Sequence, residues 1–414
     1  MDFMCARICE KPAEMSNVEL RPPTESGSKQ VVRSFLIPGH FASACLLAWF
    51  ANSMGLISWR RAAAEHWTER ARLLWPARVT ALTNIFLIPV MLDQGHRVLS
   101  PESANGWIVN GLASCFGALL GSYPFDREIF PRLSFRNWLY QATAAWGLRL
   151  SIWIAFIAAI ALMPSDFGWR TLWVAGGYLL FHFALQWGLA VKFLRWVKFA
   201  RPANERLRRI VDEVSARVGA KPPTTWLMGG VQALAFAFPT TGEMMFSKRL
   251  LEICSDEEVA TICAHEMAHL SESEATLAGR WLGSLSFFPL IFIVPVIHNF
   301  AAGFIILPLL TLLISRFARW LSQRMEKRAD QTAAENQLDE GVYARALEKL
   351  YRENQLPAVN INDRQTHPHL YDRMLAAGIS PDYPRPRRPK KMTTVGIAYV
   401  SGLGILLGIL IVRG

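Results

Sequence analysis

The stretch of this chain best equipped to do chemistry is His265-Glu266-Met267-Ala268-His269. Histidines four residues apart share one face if the segment is helical, and both imidazoles can then reach a single ion. Zinc accepts that arrangement. Glu266, beside the first ligand but off the metal, stands where a base takes a proton from a zinc-bound water. The flanking residues predict the helix. Ser255 followed three residues later by Glu258 is a capping box ahead of an apolar-periodic segment, and Asp256 and Glu257 suit the positive end of the helix dipole. Nothing between Asp256 and Glu274 breaks the pattern. The alternative is a chance match, which would gain no cap and no third ligand.

A catalytic zinc needs one more protein ligand and an open position. The stretch from Leu270 to Arg280 holds no histidine, and Trp281 to Ile297 holds no carboxylate. Glu272 and Glu274 share the helix of the two histidines and cannot swing round to face them. The first plausible donor is Glu326, with Asp330 one turn later able to accept the spare N–H of a ligand histidine. The competing reading of Glu326 is a solvated face in a charge-rich helix.

The elements that must position these groups are mostly apolar. Of 414 residues 52% are hydrophobic and only 19% charged, below the quarter or so usual for a soluble domain, and long uncharged runs explain the deficit. Candidate spans are Ser34 to Trp59, a short one at Val79 to Leu92 that contains Pro89 and could be re-entrant, Trp107 to Tyr123, Leu148 to Met163 and Thr171 to Val191. Residues 1–33 read as a mostly disordered tail, and Arg60, Arg61, Arg70, Arg72 and Arg78 as a basic loop. Pro202 to Val218 is an amphipathic helix, Thr224 to Phe238 reads as strand, particularly Leu234 to Phe238, and Glu243 to Phe246 is a short return strand after a turn. An extended peptide could pair with such an edge; an ordinary core strand is the other reading. Trp281 to Ile297 and Phe300 to Ile314, linked by His298-Asn299, form an apolar hairpin that returns the chain to its starting side. A polar helix follows from Arg316 to Glu335, another from Asp339 to Tyr351, and a short one near Tyr371 to Ala377. Thr393 to Val412 is a last span, whose Gly404-x-x-x-Gly408 hints at close packing. The six cysteines lack ligand spacing. The net charge of +11 clusters beside apolar runs, which fits lipid headgroups rather than nucleic acid.

Taken in order, the H-E-x-x-H helix, the hairpin, Glu326-x-x-x-Asp330, and Thr366-His367-Pro368 followed by Arg373 resemble the integral membrane zinc metallopeptidases that include bacterial HtpX and the eukaryotic CaaX prenyl protease. The resemblance covers about Pro202 to Met374. Two positions depart from the pattern: His369 stands where a second proline is common, and Leu234 where asparagine often precedes Ala-Phe. The resemblance implies one zinc per chain held by His265, His269 and Glu326, Glu266 as general base, and Asp330 as the outer carboxylate. It also implies His367 and Arg373 near the substrate, His367 donating to the oxyanion. The fold it implies is mainly α: multi-pass membrane helices with a small α+β peptidase domain of the gluzincin type, interrupted by a transmembrane hairpin. Its segments are a tail (1–33), a membrane region of about five spans (34–191), the domain's first part (192–280), the hairpin (281–315), the domain's second part (316–392) and a final span (393–414).

The expected function is a zinc-dependent endopeptidase acting on membrane-associated or membrane proteins, embedded or lipidated. It would sit in a lipid bilayer, in the bacterial inner membrane rather than a eukaryotic endomembrane, with no nucleic-acid partner. Basic loops at 60–78, 127–136 and 385–391 fall on the side of the zinc domain, so the positive-inside bias places the site in the cytoplasm, although the basic residues of the tail lie on the other side. Two other readings are a membrane zinc-binding sensor with a degenerate peptidase domain and a transporter with a coincidental motif. The spans lack the carboxylates that an ion-coupled pathway usually needs.

Overall fold

The computed structural model of the 414-residue chain describes residues 25–99, 107–300, 303–362 and 368–413. It is mainly helical, with one small sheet. Among the described residues, Ile37–Arg61, Trp67–Val98, Phe135–Leu162, Trp169–Trp196 and Ile305–Glu335 are five helical stretches long and apolar enough to cross a membrane. A sixth arises if Glu274–Ser284 and Phe288–Asn299, which meet at a 42° bend, form one span.

Several boundaries differ from those expected. Residues 1–24 of the expected tail lie outside the described residues, and the remainder is the start of a helix, Glu25–Gly55. The short second span is the middle of a 33-residue helix, Trp67–Leu99, that runs through Pro76 and Pro89. Arg70, Arg72 and Arg78 therefore lie on a helix and not in a loop. Arg72 and Glu69 pair one turn apart on it, which keeps this charged end helical. The third expected span, Trp107–Gly121, is only 15 residues long. Its Gly117 and Gly121 let it approach the first helix so closely that an added Cβ would stand 2.2 and 2.3 Å from the carbonyl oxygens of Phe41 and Cys45.

The sheet begins where the membrane region ends. Its strands are β1 (Ala200–Pro202), β2 (Thr224–Met228), β3 (Ala235–Phe238) and β4 (Glu243–Ser247), ordered β1-β2-β4-β3. β2 and β4 are parallel, and β3 lies antiparallel on β4 with Phe236 opposite Met245, so β3 is an edge. Between β1 and β2 runs the helix Glu205–Val218. The Asn204 side chain accepts from the Leu207 N–H at its start, and Gly219, at φ 68°, takes the left-handed conformation that ends it. Its apolar face of Leu207, Ile210, Val211 and Val214 packs with Met244 and Phe246 of β4 and with Val259, Ile262, Cys263 and Met267. Each of the Val, Leu, Ile, Phe and Met side chains buried here contributes about 1.5–3 kcal/mol.

The motif-bearing helix, Asp256–Leu270, stops earlier than its sequence suggests. Ser271 caps its end and turns its hydroxyl back to the Ala268 carbonyl, while Ser273 caps a separate helix, Glu274–Ser284. The two serine side chains compete with the helical ladder for backbone partners. The chain then passes through a 3-10 turn, Phe288–Phe292, and a short helix, Ile293–Asn299. It returns in one 33-residue helix, Gly303–Glu335, so the expected apolar span and the polar helix after it are continuous. The limbs pack at Gly279 and Gly283; an added Cβ on Gly283 would stand 2.6 Å from that of Ala318. Among the described residues, an added Cβ on Gly404 or Gly408 of the final helix Thr394–Arg413 meets nothing within 4 Å beyond its own stretch of helix, so close packing is found at the earlier glycine pairs.

Gly283→Val is expected to destabilise the protein by about 1–3 kcal/mol through overpacking, and Gly404→Val to be neutral. Thermal unfolding of the two variants in detergent measures the difference.

Candidate metal centre

The helix Asp256–Leu270 is capped as a unit: Ser255 Oγ accepts from the Glu258 N–H at 3.3 Å, and Glu258 Oε2 accepts from the Ser255 N–H at 2.9 Å. Twelve of its fifteen residues, Glu258 to His269, are buried. This central position brings His265, Glu266 and His269 into the core, where a polar side chain is costly unless it meets a partner.

Part of that partnership comes from the returning helix. Glu326 Oε2 lies 3.6 Å from His265 Nε2, and Glu326 Oε1 lies 3.6 Å from His269 Nε2. The three side chains could hold one metal ion, one ligand atom from each lying within 4.8 Å of the others. Two imidazole nitrogens and a carboxylate oxygen are the donor set zinc takes in peptidase sites. Arg328 fixes the returning helix on the first one. It donates to the Ala268 carbonyl at 2.8 Å and to Ser271 Oγ at 3.3 Å, closing the exposed end of the motif helix, and pairs with Glu272.

Behind His265 lies a second set of groups. Asp330 Oδ1 is 3.2 Å from His265 Nδ1, and the hydroxyl of Tyr343 is 2.8 Å from the same nitrogen. Tyr343 donates to Asp330 at 2.7 Å, and Arg373 donates to Asp330 Oδ2 and to the Tyr343 oxygen, each at 2.8 Å. Burial pushes the Tyr343 phenol well above its ordinary value, so it keeps its proton. Since that proton goes to Asp330, His265 Nδ1 must be the donor toward the tyrosine oxygen. When the ring gives up its second proton, Nε2 is the nitrogen left with a lone pair toward Glu326, the tautomer a metal requires. Burial alone would depress the His265 imidazole. Its bonds to Asp330 and Glu326 and the Glu266 charge outweigh this and raise it to about 9.

The sequence-predicted residues are thus not all in one place. His265, His269 and Glu326 converge, Asp330 stands behind His265, and Arg373 is bound to Asp330. His367 lies outside the described residues. His369 is buried, and its Nδ1 accepts from the Asn360 N–H at 2.9 Å. Sequence reasoning missed Tyr343 and Arg328. A tyrosine on the apolar face of an amphipathic helix was the only trace of the first.

A cavity of about 590 Å3 opens along β3. Phe236 and Phe238 line it from the strand, Leu234 from just before it, Leu148 and Ile152 from the helix Phe135–Leu162, and Arg280 adds a charge. None of the three metal-competent residues lines it.

A helix with two histidines one turn apart, faced by a carboxylate from a helix beyond an apolar hairpin, has the donor set of a metal site. Residues 202–378 match the model of peptidase family M48. The chain is similar to the proteins named Protease HtpX from Pseudomonas entomophila and from Pseudomonas putida (strain GB-1), each 27% identical over 194 residues, or 42% of this chain. The match spans 62% of the length of each of these relatives.

Removing the tyrosine hydroxyl in Tyr343→Phe is expected to weaken metal binding by about 10- to 100-fold, measured by competition with a chelator. The raised His265 value carries a pH dependence. The proton it holds in the folded metal-free protein stabilises fully below pH 6.5 and is lost as pH rises through about 9. A metal must displace that proton, so its apparent affinity is expected to rise about tenfold per pH unit between 7 and 9, which titration across that range tests.

Proposed function

We propose that this protein is a zinc-dependent endopeptidase of the membrane, and the observation that carries the proposal is the convergence of His265, His269 and Glu326 on one metal-sized space. His265 and His269 would hold the metal through Nε2 and Glu326 through its carboxylate. A zinc held there would supply a Lewis acid and make a nearby water more acidic. Glu266 takes the proton from the attacking water and returns it to the leaving amine. Asp330 and Tyr343 hold His265 in the metal-binding tautomer, and Arg373 neutralises Asp330. His367, by its resemblance to the family's late histidine, donates to the developing oxyanion.

The substrate lies extended along β3. The Leu234 carbonyl accepts from the Ser247 N–H, so the ladder bonds to β4 fall at 234, 236 and 238. The amide and carbonyl groups of Ala235 and Ala237 then face away from β4, free to pair with a peptide. Beside this edge is the apolar cavity, walled in part by a helix long enough to span a bilayer, which suits a membrane-associated or membrane protein. The family name and the names of the HtpX relatives agree with a peptidase. The basic segments at 127–136 and 385–391 support a cytoplasmic site.

Glu266→Gln is expected to bind zinc at the parent stoichiometry and to lose cleavage of a membrane-protein substrate by at least about 100-fold. Elemental analysis and a gel-based proteolysis assay on the same sample test both halves; a variant that still cuts removes the base from this mechanism.

A further inference from the structure

The edge strand β3 is tied at both ends to helices of the apolar region. At its start, Asn354 is buried and grips the backbone of Ala233 twice: its Oδ1 accepts from the Ala233 N–H at 2.9 Å, and its Nδ2 donates to the Ala233 carbonyl at 2.7 Å. Ala233 is itself fully buried, so without the carboxamide neither group has water to turn to. The two bonds imitate the pairing of a neighbouring strand at a point where the sheet provides none. One residue on, Gln355 takes φ 51°, and its carbonyl accepts from Arg78 Nη1 at 3.3 Å. Arg78 belongs to the helix Trp67–Leu99, so the start of β3 is linked through two consecutive residues to a helix long enough to span.

The far end of the strand is held in a different way. The helical run Trp169–Trp196 is interrupted by a π-turn at Leu185–Leu189, where Gly188 has φ 100°. The Thr240 hydroxyl, in the turn just after β3, donates to the Gln186 carbonyl at 2.5 Å. An added Cβ on Gly188 would stand 2.9 Å from Thr241 Cγ2, so the turn seats directly against the break. A π-turn of this kind is costly in a helix and is kept where it presents a group to something else.

We infer that Asn354 is a positioning residue for substrate: it fixes the place of β3 so that the outward backbone groups of Ala235 and Ala237 meet an extended peptide, with Thr240 holding the other end. This rests on the reading of β3 as the substrate strand. Asn354 carries no bond to His265, His269 or Glu326, so its loss acts on the strand and leaves the metal ligands in place.

The test measures peptide binding rather than turnover, in protein that already carries Glu266→Gln. The probe is a fluorescein-labelled casein peptide, followed by anisotropy. Adding Asn354→Asp keeps the size and the acceptor but sets a second oxygen against the Ala233 carbonyl; the dissociation constant is expected to rise roughly tenfold, with zinc content unchanged. Thr240→Val, which removes only an exposed hydroxyl, is expected to weaken binding in the same direction and stands in if Asn354→Asp does not fold. Unchanged affinity in the folded variants overturns the inference, as does a fall in zinc content alongside the affinity, or a Glu266→Gln protein that does not bind the probe. Failure of the peptidase assignment is read separately, as an otherwise unaltered chain that binds the probe and never cleaves it.

Discussion

The structure turns on a carboxylate meeting two imidazoles in a place sheltered from water. Buried ionisable groups are expensive, and three here are answered: Glu326 by the two histidines, His265 Nδ1 by Tyr343 and Asp330, and Asp330 by Arg373. This makes the register of the returning helix a strict requirement. A slip of one residue turns a helix by about 100°, enough to carry Glu326 off the site. Arg328 on the open end of the motif helix and the glycine contacts between the hairpin limbs set that register from two directions. They belong to the chemistry as much as to the packing.

What the sequence reveals follows from how local each signal is. The cap at Ser255 and the histidine spacing are written within fifteen residues, and the motif helix begins where they say. The strand and turn around Phe238 are equally local. Glu326 is reached only by eliminating nearer donors and by trusting the hairpin to bring the chain back. Tyr343 could not be reached, because its partners lie 13, 30 and 78 residues away and a tyrosine on an apolar helix face is ordinarily core. The end of the motif helix at Ser271 was misread because no proline or glycine marks it; serine side chains bonding to their own backbone stop a helix without either.

The apolar region shows the limits of composition. Hydropathy finds the runs but not their ends: charged turns extend the helix Trp67–Leu99 well beyond its uncharged middle, and the returning helix passes from apolar to polar without a break. Glycine spacing is no better alone. Of three glycine pairs at four-residue spacing, Gly117 with Gly121 and Gly279 with Gly283 make close crossings, and Gly404 with Gly408 do not. The difference lies in the neighbouring helix, which the motif does not encode.

The division of the ligands across the hairpin bears on how the protein is made. Arg328 reaches back 57 residues to Ser271, and the third donor lies two positions before it. A nascent chain that has just delivered both histidines has neither the carboxylate nor the clasp that seats it, and the hairpin must fold back before either arrives. The three metal-competent side chains are thereby not all present until the ribosome has passed Glu326.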